Sequence, residues 1–183
     1  MNLTPSLNSS LADLEPSIIR RAVKAGGASK SQLLSQLTEA GVGLNEFARV
    51  LFASDLFITS PTEQHWMTVE VSVHDLGFSQ GACIQDLHSR ASALGLLPPP
   101  LELAPHLRLQ YLDQPEGFWG HPVTQHRAPP GSITIASLPL SEDDDFPKGF
   151  YLRRIEGTLW LRGYRCPTDN HWHPDDHILF CQA

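Results

Sequence analysis

Apolar residues recur along this chain with two different periods, and the switch between them divides it. In the first third they fall at helical spacing. Asp13 is an N-cap for a helix with Pro16 near its start, Ile18, Ile19 and Val23 on its apolar side, and Gly26-Gly27 as its stop. Ser29-Lys30-Ser31-Gln32 forms a capping box ahead of Leu33, Leu34 and Leu37, which predicts a second helix to about Ala40, ended by Gly41. Leu44, Phe47, Leu51 and Phe52 predict a third around Asn45–Ser54. Beyond residue 66 the period becomes two. Met67, Val69, Val71 and Val73 alternate with Thr68, Glu70, Ser72 and His74, the mark of a half-buried strand. Residues 79–94 return to helical spacing with Ile84, Leu87, Ala91 and Leu94 inward, and Pro98-Pro99-Pro100 is a stiff connector. Leu107, Leu109 and Tyr111 alternate with His106, Arg108 and Gln110, which predicts a strand over 107–112. A long loop over 113–131, a short strand at Ser132–Ser137, a hairpin and a last strand near His177–Cys181 complete the reading.

The expected class is α+β: a helical N-terminal third packed on a mostly antiparallel β-sheet with a C-terminal β-hairpin. Residues 1–60 form the helical segment and 61–183 the antiparallel α+β region, together one compact domain.

The hairpin carries most of the information. Residues 150–165 place β-formers on both sides of Glu156-Gly157, so a two-residue turn sets Ile155 opposite Thr158, Arg153 opposite Trp160, Leu152 opposite Leu161 and Tyr151 opposite Arg162. One face then bears Phe150, Leu152, Leu159 and Leu161, interrupted by Arg154. The other bears Tyr151, Arg153, Trp160, Arg162 and Tyr164, alternating guanidinium and aromatic groups. Arg153 and Arg162 make a fork for a carboxylate or phosphate, the rings supply flat walls, and Arg108 joins them if its strand lies alongside. The structural alternative is a solvated sheet face held by Arg–aromatic pairs of about 0.2–1 kcal/mol each.

Composition narrows the partners. With 13 basic and 20 acidic residues the net charge is −7, which disfavours nucleic acid and anionic membranes. No stretch approaches the roughly 20 apolar residues of a membrane span. The first 17 residues have no basic segment followed by an apolar one, so no secretory signal is expected and the cytoplasm is the expected compartment. Three widely spaced cysteines are not a disulfide framework, and a Cys166–Cys181 bridge is disfavoured.

Two further constellations carry weaker signals. His171-Trp172-His173 in a strand would turn two imidazoles to one face, with Cys166, Asp169, Asp175, Asp176 and His177 nearby, but Pro174 and the aspartates indicate a turn, so no metal is expected. His121 or His126 beside Asp113 or Glu116 offers a general base in the long loop, without a recognisable nucleophile. Gly26–Ser31 lacks the glycine before its lysine that a phosphate loop needs, and residues 33–51 offer too little basic charge for a DNA-reading helix. These readings favour a non-catalytic binding protein for an anionic small molecule or acidic peptide segment, needing no cofactor. The alternatives are a His-dependent hydrolase, with or without zinc, and a structural subunit whose aromatic face is a homo-oligomer interface.

Overall fold

In the computed structural model, which describes residues 10–119 and 128–183, strands open the chain as well as close it. After a 3-10 turn at Leu11–Leu14 comes β1 (Ile19–Ala25), then α1 (Lys30–Glu39), β2 (Gly43–Leu44), α2 (Glu46–Ala53) and β3 (Gln64–Ser72). The middle holds β4 (Ala82–Cys83), α3 (Ile84–Ala93), β5 (Leu96–Leu97) and α4 (Leu103–Gln110). The end is β6 (Ile133–Ile135), β7 (Gly149–Ile155), β8 (Thr158–Tyr164), β9 (His171–Trp172) and β10 (His177–Gln182). The main sheet runs β1-β3-β10-β6-β7-β8-β2, with β5 also on β10, while β4 and β9 form a separate ribbon. It is mixed but largely antiparallel; β10–β6 and β2–β8 are the parallel pairs.

The class is α+β, but the helical N-terminal third is wrong. The helix expected from Asp13 is the strand β1, antiparallel to β3 from Ile19↔Glu70 to Ala25↔Gln64. Val23 and Ala25 are buried on one face of it and Arg21 shares that face, so the segment satisfies period two as well as it satisfies a helix. Seven residues of pairing against β3 decide between the two, a tertiary effect that local spacing does not contain. The strand expected over 107–112 is the helix α4, whose Leu103, Ala104 and Leu107 are buried at helical spacing. Pro105 sits in its first turn, where no intrahelical N–H bond is lost.

The other helices start where their caps place them. The Ser29–Gln32 capping box opens α1, and the Asn45 side chain accepts from Ala48 N at 3.0 Å to cap α2. α1, α2 and α4 cover one face of the sheet: Leu33, Leu37, Leu51, Phe52 and Leu107 pack with Ile133, Ile135, Phe150, Leu152, Leu161 and Leu179. Phe52, Phe57 and Phe150 meet there with ring centroids 5.4–6.1 Å apart. α3 covers part of the opposite face, where Leu87 and Ala91 join Val69, Val71, Ile178 and Phe180. Among the described residues no helix lies over the matching face of β7 and β8.

Candidate functional site

The hairpin folds in the register read from its sequence, from Ile155↔Thr158 through Arg153↔Trp160 to Tyr151↔Arg162. Glu156 and Gly157 take φ of 53° and 74°, the left-handed pair of a tight hairpin turn. Phe150, Leu152 and Leu161 are fully buried toward the three-helix side, so Tyr151, Arg162 and Tyr164 face the other way. There they line a cleft of about 290 Å³ with Thr134, Arg165 and Trp172.

The sequence builds this cleft through two close approaches. Asn45, besides capping α2, receives Gly163 N at 2.8 Å and donates to Gly163 O at 2.9 Å, so its side chain completes the edge of β8. A Cβ on Gly163 would stand 2.6 Å from the backbone of Phe47 and Ala48, which is why glycine occupies the position. Trp160 does not line the cleft. Its ring lies over Gly43, where a Cβ would stand 2.5 Å away, and the Arg162 guanidinium stacks on it at 5.2 Å. Trp160 therefore orients Arg162.

Two of the molecule's unmet buried donors lie at the cleft. Arg162 Nε and Trp172 Nε1 are buried and have no hydrogen-bond partner among the described residues. Arg165, by contrast, is paired with Asp145 at 3.1 Å and stacks on Phe47 at 4.9 Å. Tyr151, Tyr164 and Trp172 make a continuous aromatic wall, with centroids 6.4 and 5.8 Å apart. Burial holds the Tyr164 phenol and the Cys166 thiol, both at the cleft, above their ordinary values and so protonated at neutral pH.

Besides Trp160, two further expected members of the site, Arg108 and Arg153, do not line the cleft. Arg108 belongs to α4, not to a strand beside the hairpin, and is fully buried on the three-helix side. It donates to Gln114 Oε1 and to the Tyr111 carbonyl, and burial lowers its guanidinium to about 10. Arg153 stays on the hairpin face but is buried under Trp119, whose ring centroid is 4.6 Å away. The start of the long loop thus docks on the hairpin: Gly117 N bonds Arg154 O at 2.8 Å, and Glu116 pairs with Arg154 at 3.3 Å. His121 and His126 lie outside the described residues. His171 is exposed on β9, and His173 accepts from Asp175 N in the 173–176 turn.

Sequence reading named His177 but not the constellation it belongs to. On the three-helix side, at the ends of β1, β3 and β10, Glu70 Oε2 receives Arg21 at 2.6 Å and Glu70 Oε1 bonds His177 Nδ1 at 2.8 Å. The Arg21 guanidinium lies 4.1 Å from the Tyr111 ring centroid. Burial pushes the Glu70 carboxyl up, but the bonds from His177 and Arg21 outweigh it and hold it below the ordinary carboxylate value. The hydrogen bond to Glu70 in turn raises the His177 imidazole against the opposing effect of burial. A cavity of about 630 Å³ opens beside the three residues, roofed by Gln114–Glu116 and Phe118. The signal available in the sequence was Glu70, the one acidic residue of β3, buried on the face it shares with Thr68.

No protein-family model, curated protein or solved structure matches this chain.

Proposed function

We propose that the protein is a binding protein whose hairpin cleft captures a small molecule carrying a planar ring and an anionic group, a carboxylate or a phosphate. The observation that carries the reading is the pair of unmet donors, Arg162 Nε and Trp172 Nε1, beside an aromatic wall. A buried donor without an acceptor costs about 1–3 kcal/mol, and an incoming anion removes that cost. The cleft's volume of about 290 Å³ lies just below the usual range for ligand pockets, which favours a small molecule over a peptide segment. Capture rather than chemistry fits Cys166 and Tyr164, whose burial keeps both protonated and weakly nucleophilic. Three unpaired cysteines fit a reducing, cytoplasmic setting, and the net charge of −7 argues against nucleic acid as the partner. Among the described residues no helix is long and apolar enough to cross a membrane.

Titration calorimetry with phenyl phosphate and benzoate, and with uncharged benzyl alcohol as control, tests the assignment. The two anions should bind and the alcohol should not. Arg162→Lys should weaken binding about tenfold, because an ammonium keeps the charge and loses the planar fork. Trp160→Ala should weaken it less, by releasing Arg162. Equal binding by parent and Arg162→Lys overturns the site.

A further inference from the structure

The second cavity differs from the hairpin cleft in kind. His177 is held through Nδ1 by a buried carboxylate, which is itself clamped by Arg21, so the ring has one orientation and its Nε2 is left for another partner. The His177 side chain is 44% exposed, enough for a substrate to reach it, whereas Glu70 is 6% exposed and shielded from exchange with water. A carboxylate fixing one imidazole nitrogen of a histidine that lines a cavity is an arrangement general-base catalysis uses. Ser132, whose buried hydroxyl has no partner among the described residues, lines the same cavity.

We propose that this cavity is a hydrolytic site in which His177 is the general base and the substrate is a small neutral carboxylic ester. The inference is independent of the hairpin cleft. The neutral charge follows from the surroundings: Glu70, Glu116, Asp175 and Asp176 line the cavity against Arg21, so an anionic substrate is repelled and an anionic product is expelled. The apolar body is received by Ile19, Tyr111, Phe118 and Ile133. No protein hydroxyl among the described residues is hydrogen-bonded to His177, so the nucleophile is water. His177 Nε2 takes a proton from that water as its oxygen bonds to the acyl carbon. The ester C–O bond then breaks, and the imidazolium returns the proton to the departing alkoxide, leaving a carboxylic acid and an alcohol. The Arg21 guanidinium on the cavity wall is the donor for the transient oxyanion.

The test is hydrolysis of 4-nitrophenyl acetate, butyrate and octanoate by the full chain, followed across pH. Saturable turnover, faster than an equal concentration of free imidazole, is expected. His177→Gln should lower kcat/KM at least 100-fold. The charged groups acting on His177 are Glu70 on β3 and Asp75 and Asp176 in the turns beside β10, and Arg21, Glu116 and Asp175 line the same cavity. Glu70 contributes most to keeping the imidazole protonated, so Glu70→Gln should move the rising limb of the pH–rate profile to lower pH, a shift that a purely structural role would not produce. His65→Ala, at an exposed histidine on β3, should change nothing and serves as control for surface imidazole chemistry. Should His177→Gln fail to melt cooperatively, Phe118→Trp at the cavity mouth replaces it, and KM should rise with kcat little changed. Unsaturable rates, activity retained in His177→Gln, or a pH limb unmoved by Glu70→Gln each overturn the proposal.

Discussion

The hairpin cleft and the Glu70 cavity sit on opposite faces of one sheet and manage charge in opposite ways. At the cleft a guanidinium rests on Trp160 with its Nε unmet, beside an unmet indole N–H. In the cavity the charged groups are paired, Arg21 on one Glu70 oxygen and His177 on the other, although the Ser132 hydroxyl there is also unmet. Unmet donors are tolerated where a ligand can supply the acceptor, whereas a satisfied network fixes the orientation of its members. The first arrangement supports the proposed capture and the second the proposed proton transfer. Coverage follows the same division. Three helices brace the face that carries the ion network, while the hairpin half of the other face has no helix over it among the described residues.

The difference in coverage gives the largest expected effect. A fragment of residues 61–183 loses β1, α1, β2 and α2 together, and with them Arg21, the whole of the β1 pairing and the packing of Leu51 and Phe52 on Phe150. It should show no cooperative melting transition and should bind a hydrophobic dye. A fragment that melts cooperatively would show that the three-helix face is not what holds the sheet together.

What was legible in the sequence follows the range of the interactions involved. The hairpin register, the Ser29–Gln32 cap and the Asn45 helix start are local, and each was readable from a few adjacent residues. β1 was not, because its partner β3 begins about 40 residues later and the apolar spacing of Ile19 and Val23 serves helix and strand alike. Arg108 was misplaced for a related reason: Leu107, Leu109 and Tyr111 alternate by chance on a helix whose buried side is set by Leu103, Ala104 and Leu107. The pairing that brings Tyr151 and Arg162 together was readable because both strands are contiguous in sequence. The Arg21–Glu70–His177 network draws one residue from each of three strands separated by 49 and 107 positions, and no spacing rule connects them.

The middle effect tests the paired side of the comparison. Glu70→Gln leaves Arg21 without its carboxylate partner in a largely buried setting and should lower stability by about 2 kcal/mol at pH 7. The pH dependence has two signs. Glu70 is depressed in the folded state, so its contribution is present above the ordinary carboxylate value and is lost as pH falls through the native one. His177 is raised, so its contribution is full below the ordinary imidazole value and is lost as pH rises through the native one. Between those limits, roughly pH 4.5–6.5, both contributions are present. Melting curves of parent and His177→Gln should therefore differ more at pH 6 than at pH 9. An equal gap at both values would mean that the His177–Glu70 bond adds no charge-dependent stability.

The smallest effect belongs to the unpaired side. Arg162 has no ion-pair partner among the described residues, and its guanidinium stacks on Trp160 at 5.2 Å. Arg162→Gln removes a charge that nothing balances and one cation–π contact of about 0.5–1 kcal/mol, while also removing a buried N–H that lacked an acceptor. The loss and the gain oppose each other, so chemical denaturation should place the variant within about 0.5 kcal/mol of the parent. Anion binding in the same variant should fall well beyond the tenfold expected for Arg162→Lys, since both the charge and the fork are gone. A stability loss of about 2 kcal/mol or more would show that Arg162 is as structural as Glu70. The contrast between a face built to receive a ligand and a face built to hold its own charges would then disappear.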